Sequence, residues 1–164
     1  EIQNNKPFNI KFMKVVATFY DDNVELASCG SSYGKVDILR PGEKSPFLII
    51  PRPSTTETPF YLLTCEASPT SDEPYRLEIL SHSGSAIGED YKIVGEVRNN
   101  YSITLKYVEI IATYYIAQGG VIGVDDTYAL VDEIAPGGKS SFQIRTSSLQ
   151  PASYFLVAQG RPIS

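Results

Sequence analysis

The sequence predicts an all-β protein built as two tandem β-sandwich domains, the first lacking its N-terminal strand or strands. Composition points to sheets. Among 164 residues there are 11 Tyr and 7 Phe, with plentiful Thr, Val and Ile, the types that fit a pleated, half-buried surface. Twelve Gly and 11 Pro spread along the chain supply frequent turns. The deciding observation is an internal repeat, which outranks local patterning as a guide to architecture.

Glu1-Ile-Gln-Asn-Asn5 reappears as Glu96-Val-Arg-Asn-Asn100. In the same register, Met13-Lys-Val-Val-Ala-Thr-Phe-Tyr20 reappears as Val108-Glu-Ile-Ile-Ala-Thr-Tyr-Tyr115. Pro41-Gly-Glu-Lys-Ser-Pro-Phe47 matches Pro136-Gly-Gly-Lys-Ser-Ser-Phe142. Tyr61-Leu-Leu-Thr-Cys-Glu-Ala-Ser-Pro69 matches Tyr154-Phe-Leu-Val-Ala-Gln-Gly-Arg-Pro162 after a small gap. The preserved order places the first repeat at residues 1–69, a polar linker at 70–74 and the second repeat at 75–164.

Each repeat reads as strands. Met13, Val15, Ala17 and Phe19 alternate with more polar neighbours, as do Val108, Ile110, Ala112 and Tyr114. That period of two puts one face on a core. Asp21-Asp22-Asn23 and Gln118-Gly119-Gly120 end these runs with residues that tolerate positive φ, so each predicts a hairpin. The turns at Pro41-Gly42 and Pro136-Gly137 precede strands in which Phe47 and Ile49, or Phe142 and Ile144, face inward. Tyr61, Leu63 and Cys65 close the first copy; Tyr154, Leu156 and Ala158 close the second. No stretch keeps a helical period over three turns.

The motif run Gly95-Glu-Val-Arg-Asn99, Ala112-Thr-Tyr-Tyr115 and Ala135-Pro-Gly-Gly-Lys-Ser-Ser-Phe142 resembles the FxLYD domain, a small immunoglobulin-like module. The resemblance extends over both repeats. The name motif stands as Ala17-Thr-Phe-Tyr-Asp21 in the first copy and Ala112-Thr-Tyr-Tyr-Ile116 in the second, without the leading aromatic in either and without the Asp in the second. It implies tandem immunoglobulin-like sandwiches of a prokaryotic surface or secreted protein, and it implies no reaction.

The second repeat carries a lead-in that the first lacks. Tyr75–Leu80 reads as a strand, Ser81–Glu89 as a turn and Tyr91–Val97 as a second strand. Three accounts of the shorter first copy stand side by side. Native residues precede Glu1, or the first unit is complete as it stands, or Glu1 is close to the mature terminus. In the last case Glu1, Ile2, Gln3, Asn4 and Asn5 form an unpaired sheet edge beside an apolar groove. Such an edge recruits another strand, so self-association through it is expected, and donation between subunits builds a polymer.

Few residues suggest chemistry. Cys29 and Cys65 both lie in the first repeat and both are missing near Asp126 and at Ala158 in the second. Their joint absence predicts a disulfide worth about 3 kcal/mol and an oxidising compartment; two separate buried thiols are the alternative. The one His, His82, sits among serines. It lacks the strained Ser turn of a nucleophilic triad and reads as a solvated turn residue. Asp72 and Glu73 lie in the linker, and Glu89 and Asp90 lie near it. They are weak calcium candidates, because that ion needs six to eight converging oxygens and the spacing of an EF-hand is absent. Asn100-Tyr101-Ser102 is an N-glycosylation sequon at a turn. Tyr20, Tyr101 and Tyr115 read as outward aromatics of cross-strand pairs, with a sticky interface face as the alternative.

The net charge of −5 without a Lys/Arg cluster argues against nucleic acid. No run approaches the ~20 apolar residues of a membrane helix. No cofactor and no enzymatic activity are expected. The chain reads as an extracellular or cell-surface structural or adhesion module. An accessory carbohydrate- or ion-binding module of a larger secreted protein is the alternative.

Overall fold

The computed structural model describes residues 1–50 and 60–163. They contain antiparallel strands and no helix, so the chain is all-β. They divide into two compact units, Glu1–Glu73 and Pro74–Ser164.

The first unit contains β1 (Ile2–Gln3), β2 (Ile10–Tyr20), β3 (Leu26–Tyr33), β4 (Ile38–Leu39), β5 (Lys44–Ser45) and β6 (Phe60–Pro69). The second contains β7 (Tyr75–Arg76), β8 (Glu78–Ile87), β9 (Asp90–Arg98), β10 (Leu105–Tyr115), β11 (Val121–Tyr128), β12 (Glu133–Ile134), β13 (Lys139–Thr146) and β14 (Ser153–Pro162).

The second unit is a two-sheet sandwich. One sheet runs β11-β10-β14-β7, with β12 also on β10; the other runs β13-β9-β8. The predicted alternation holds along β10, where Val108, Ile110, Ala112 and Tyr114 are all buried. They meet Ile93 and Val97 of β9 and Phe142 and Ile144 of β13 in one core. At about 25 cal/mol per Å², each such side chain contributes on the order of 2 kcal/mol. The expected Tyr75–Leu80 strand is two strands. Tyr75 and Arg76 pair with β14, and the chain then crosses at the buried Leu77, so β8 pairs with β9 in the opposite sheet. The expected turn 81–89 shrinks to Gly88-Glu89, because Ser81–Ile87 continue β8 against β9.

The first unit repeats one sheet and only a corner of the other. β3-β2-β6, with β4 on β2, reproduces β11-β10-β14 with β12. Met13, Val15 and Ala17 are buried as expected. Where the second unit has β13-β9-β8, the first has the two-residue pair β1–β5. The strand expected through Phe47 and Ile49 stops at Ser45. In the second unit, β13 pairs with β9 over Lys139–Thr146, whereas β1 offers two residues, so among the described residues 46–50 has no ladder to join. It lies instead over β3: a Cβ at Gly30 would come within 3.0 Å of Ile49.

Both units are locked at the same corner by a buried asparagine. The Asn4 side-chain amide donates to the carbonyls of Phe8 and Leu39 at 2.9 Å, and its oxygen accepts from Lys6 N–H. Asn99 does the same with Ile103, Ile134 and Tyr101. A short side chain that bonds the backbone nearby mimics a turn, and burial makes each bond costly to lose.

Candidate functional site

The largest departure from a closed sandwich lies on β6. The inner face of β6, read from its pairing with β2, carries Tyr61, Leu63 and Cys65 opposite Phe19, Ala17 and Val15. In the second unit the matching Leu156 and Ala158 of β14 are 9% and 2% exposed, beneath β9 and β13. Tyr61 and Leu63 are 65% and 43% exposed. No strand among the described residues lies on the far edge of β6, whereas β14 receives β7. Missing cover therefore opens both a face and an edge.

The expected edge at Glu1–Asn5 is smaller than predicted. Ile2 and Gln3 pair with Ser45 and Lys44, Glu1 lies 3.9 Å from Lys44, and Asn4 is buried in its turn. Asn5 is exposed. The side of β1 away from β5 meets no strand among the described residues.

The disulfide is a correction. Cys29 and Cys65 are free, exposed thiols. Cys29 stands opposite Thr18 and Cys65 opposite Val15, on strands that flank β2. Two strand spacings put them about 10 Å apart across the sheet. The odd offset along β2 turns them to opposite faces, beyond disulfide reach. The repeat comparison signalled a shared loss and carried no geometry. Partial burial, then the neighbouring Glu66, raises the Cys65 thiol above its ordinary value.

The calcium candidates are occupied by other partners. Asp72 meets Lys11 at 2.7 Å, and Glu73 meets Arg40 at 3.3 Å and Asn9 at 3.1 Å. Asp90 accepts from Arg145 at 2.7 Å, and Glu89 lies in the β8–β9 turn. Hydrogen bonds from Lys11 hold Asp72 below its usual range, and those from Arg145 do the same for Asp90. Among the described residues no three His, Cys, Asp or Glu side chains converge as a metal site.

Asn100 follows β9 and is exposed. Its amide donates to Glu78 at 2.7 Å and its oxygen accepts from Arg98 at 2.9 Å. His82 lies within β8 and not in a turn; its Nδ1 is 2.8 Å from the Tyr154 hydroxyl. Of the outward tyrosines, Tyr101 is half-buried. It accepts from Arg76 N–H, donates to the Pro74 carbonyl and packs edge-on to Tyr75 at 5.1 Å. Tyr20 and Tyr115 are half-buried at strand ends.

A second constellation escaped sequence reading. β2 and β10 each carry a bulge, between Lys11 and Lys14 and between Lys106 and Glu109 in their ladders with β6 and β14. Within them Phe12 and Tyr107 adopt φ of 55° and 50°. Each has the preceding lysine ammonium 5.4 Å from its ring. Two residues beyond each, opposite Lys14 and Glu109, stands another exposed tyrosine at the end of the following strand, Tyr33 and Tyr128. The available signal was Lys-aromatic at 11–12 and 106–107, in register with the repeat.

No family model and no curated protein matches the chain. Among solved structures, a transglutaminase from red sea bream resembles it at 11% identity with a TM-score of 0.34, over 98% of this chain and 26% of that one. A likeness so distant carries no argument about activity.

Proposed function

We propose that the chain is a non-catalytic structural or adhesion element of a surface or secreted assembly. On this reading it consists of two immunoglobulin-like units of the FxLYD type, and a strand from a neighbouring copy completes the first. The observation that carries the reading is the exposed inner face of β6 and its edge, which no strand among the described residues pairs. Unpaired strands with apolar faces template the addition of another strand. The second unit supplies the pattern for what is added: β7 fills the edge of β14, and the alternation of Tyr91, Ile93, Gly95 and Val97 in β9 covers its inner face from the opposite sheet. Donation from one copy to the next is head-to-tail, and it grows a filament wherever the rotation does not close a ring. The surface location rests on the motif resemblance alone, because free thiols give no argument for an oxidising compartment.

Light scattering behind size-exclusion chromatography tests the reading at roughly 1 to 100 μM, a range that spans modest affinities. The mass is expected to rise with concentration. Leu63→Lys is expected to return it to that of a monomer without lowering the melting temperature, because Leu63 already faces solvent. A wild-type chain that stays monomeric across the range overturns donation between copies.

A further inference from the structure

The bulge aromatics are held at a cost. A non-glycine residue in the left-handed region carries roughly 1–2 kcal/mol of strain, and a bulge that needs this conformation is ordinarily served by glycine. Both repeats place an aromatic there and leave its ring in solvent: Phe12 and Tyr107 are 65% and 63% exposed, and the adjacent Tyr33 and Tyr128 are 58% and 59% exposed. Burial does not repay that strain. In the second unit the two tyrosines line a cleft of about 430 Å³ together with Lys106, Val131, Asp132 and Glu133. That volume lies toward the small end for ligand sites.

We infer that this cleft binds a saccharide ring. Exposed tyrosine rings offer flat apolar faces to the C–H face of a pyranose, each with a polar tip. Asp132 and Glu133 accept hydrogen bonds from sugar hydroxyls, and the Lys106 ammonium donates to them. The first unit keeps Lys11, Phe12, Tyr33 and Asp37, but it has Ile38 where the second has Glu133, and Lys11 is drawn to Asp72 at 2.7 Å. The inference therefore assigns one saccharide site per chain. It stands on a different observation from the open face of β6, so either can fail alone.

NMR titration of the isotope-labelled chain with cellohexaose, mannohexaose, chitohexaose and xylohexaose, each up to about 10 mM, tests it. At least one sugar is expected to shift amides within 106–108 and 128–133, with no matching shifts at 11–13 and 33–38. Tyr128→Ala is expected to weaken binding at least tenfold. Tyr107→Gly separates site from scaffold: binding is lost while the melting temperature holds or rises, because the strained residue is gone. No shift with any of the four sugars, or a Tyr107→Gly chain that melts lower, overturns the inference. Shifts at the cleft with an unrelated short peptide and with none of the sugars overturn it in favour of peptide binding.

Discussion

At the residue scale the buried asparagines dominate. Asn99→Ala strips partners from two carbonyls and one N–H, each worth about 1–3 kcal/mol when buried. A loss near 3 kcal/mol is expected, seen by calorimetry as a drop of more than about 10 °C in the second unit's transition. A drop within error removes Asn99 from the list of corner locks. The carboxylates set the response to acid. Glu78 is lowered by the Asn100 amide and then by Arg98, and Asp72 and Asp90 are lowered by their own partners. A folded-state value below the unfolded one adds stability above the ordinary range, and that stability is lost as pH falls through the folded value. The urea midpoint is thus expected to fall between pH 7 and pH 3, and Glu78→Gln is expected to shrink that fall. The thiols are testable directly: native, unreduced protein should react with two equivalents of a thiol reagent per chain. The repeat marked the Asn pairs as shared, and their turn role was legible from residue type. Their burial was not, because one asparagine in a turn looks like another until the neighbouring carbonyls are in place.

At the element scale, alternation along Met13–Phe19 and Val108–Tyr114 was enough to place the inner faces of β2 and β10, since side-chain period fixes facing without knowledge of partners. Pairing was less legible. The run from Tyr75 looked like one strand because Leu77 keeps the apolar pattern, yet it crosses between sheets there. Phe47 and Ile49 kept a strand pattern for which the described residues offer no partner strand. The same dependence on partners makes Gly95 critical. A Cβ there would lie 2.5 Å from both the Phe142 ring and the Ser81 carbonyl. Gly95→Ala is expected to destabilise the second unit by about 2 kcal/mol by overpacking, read as a lower urea midpoint; an unchanged midpoint would show that β8 and β13 can yield.

At the scale of the whole molecule, the two units are unequal versions of one plan. Among the described residues, only the second unit has a second sheet wide enough to cover its main sheet, as β9 and β13 cover β10 and β14. Hydrogen exchange should report this as faster exchange on β6 than on β14, because open edges lose protection through local fluctuation; equal protection of the two strands would mean that the face of β6 is covered in solution. The repeat made the inequality legible in outline. It could not locate the open surface on β6, since an exposed face depends on which strands are absent above it.

The antiparallel pairing of β7 with β14 sets Tyr75 opposite Gly160. Polypeptide therefore enters and leaves the second unit side by side. Tension applied through these two ends would open the two-rung ladder between β7 and β14 like a zip, one rung at a time.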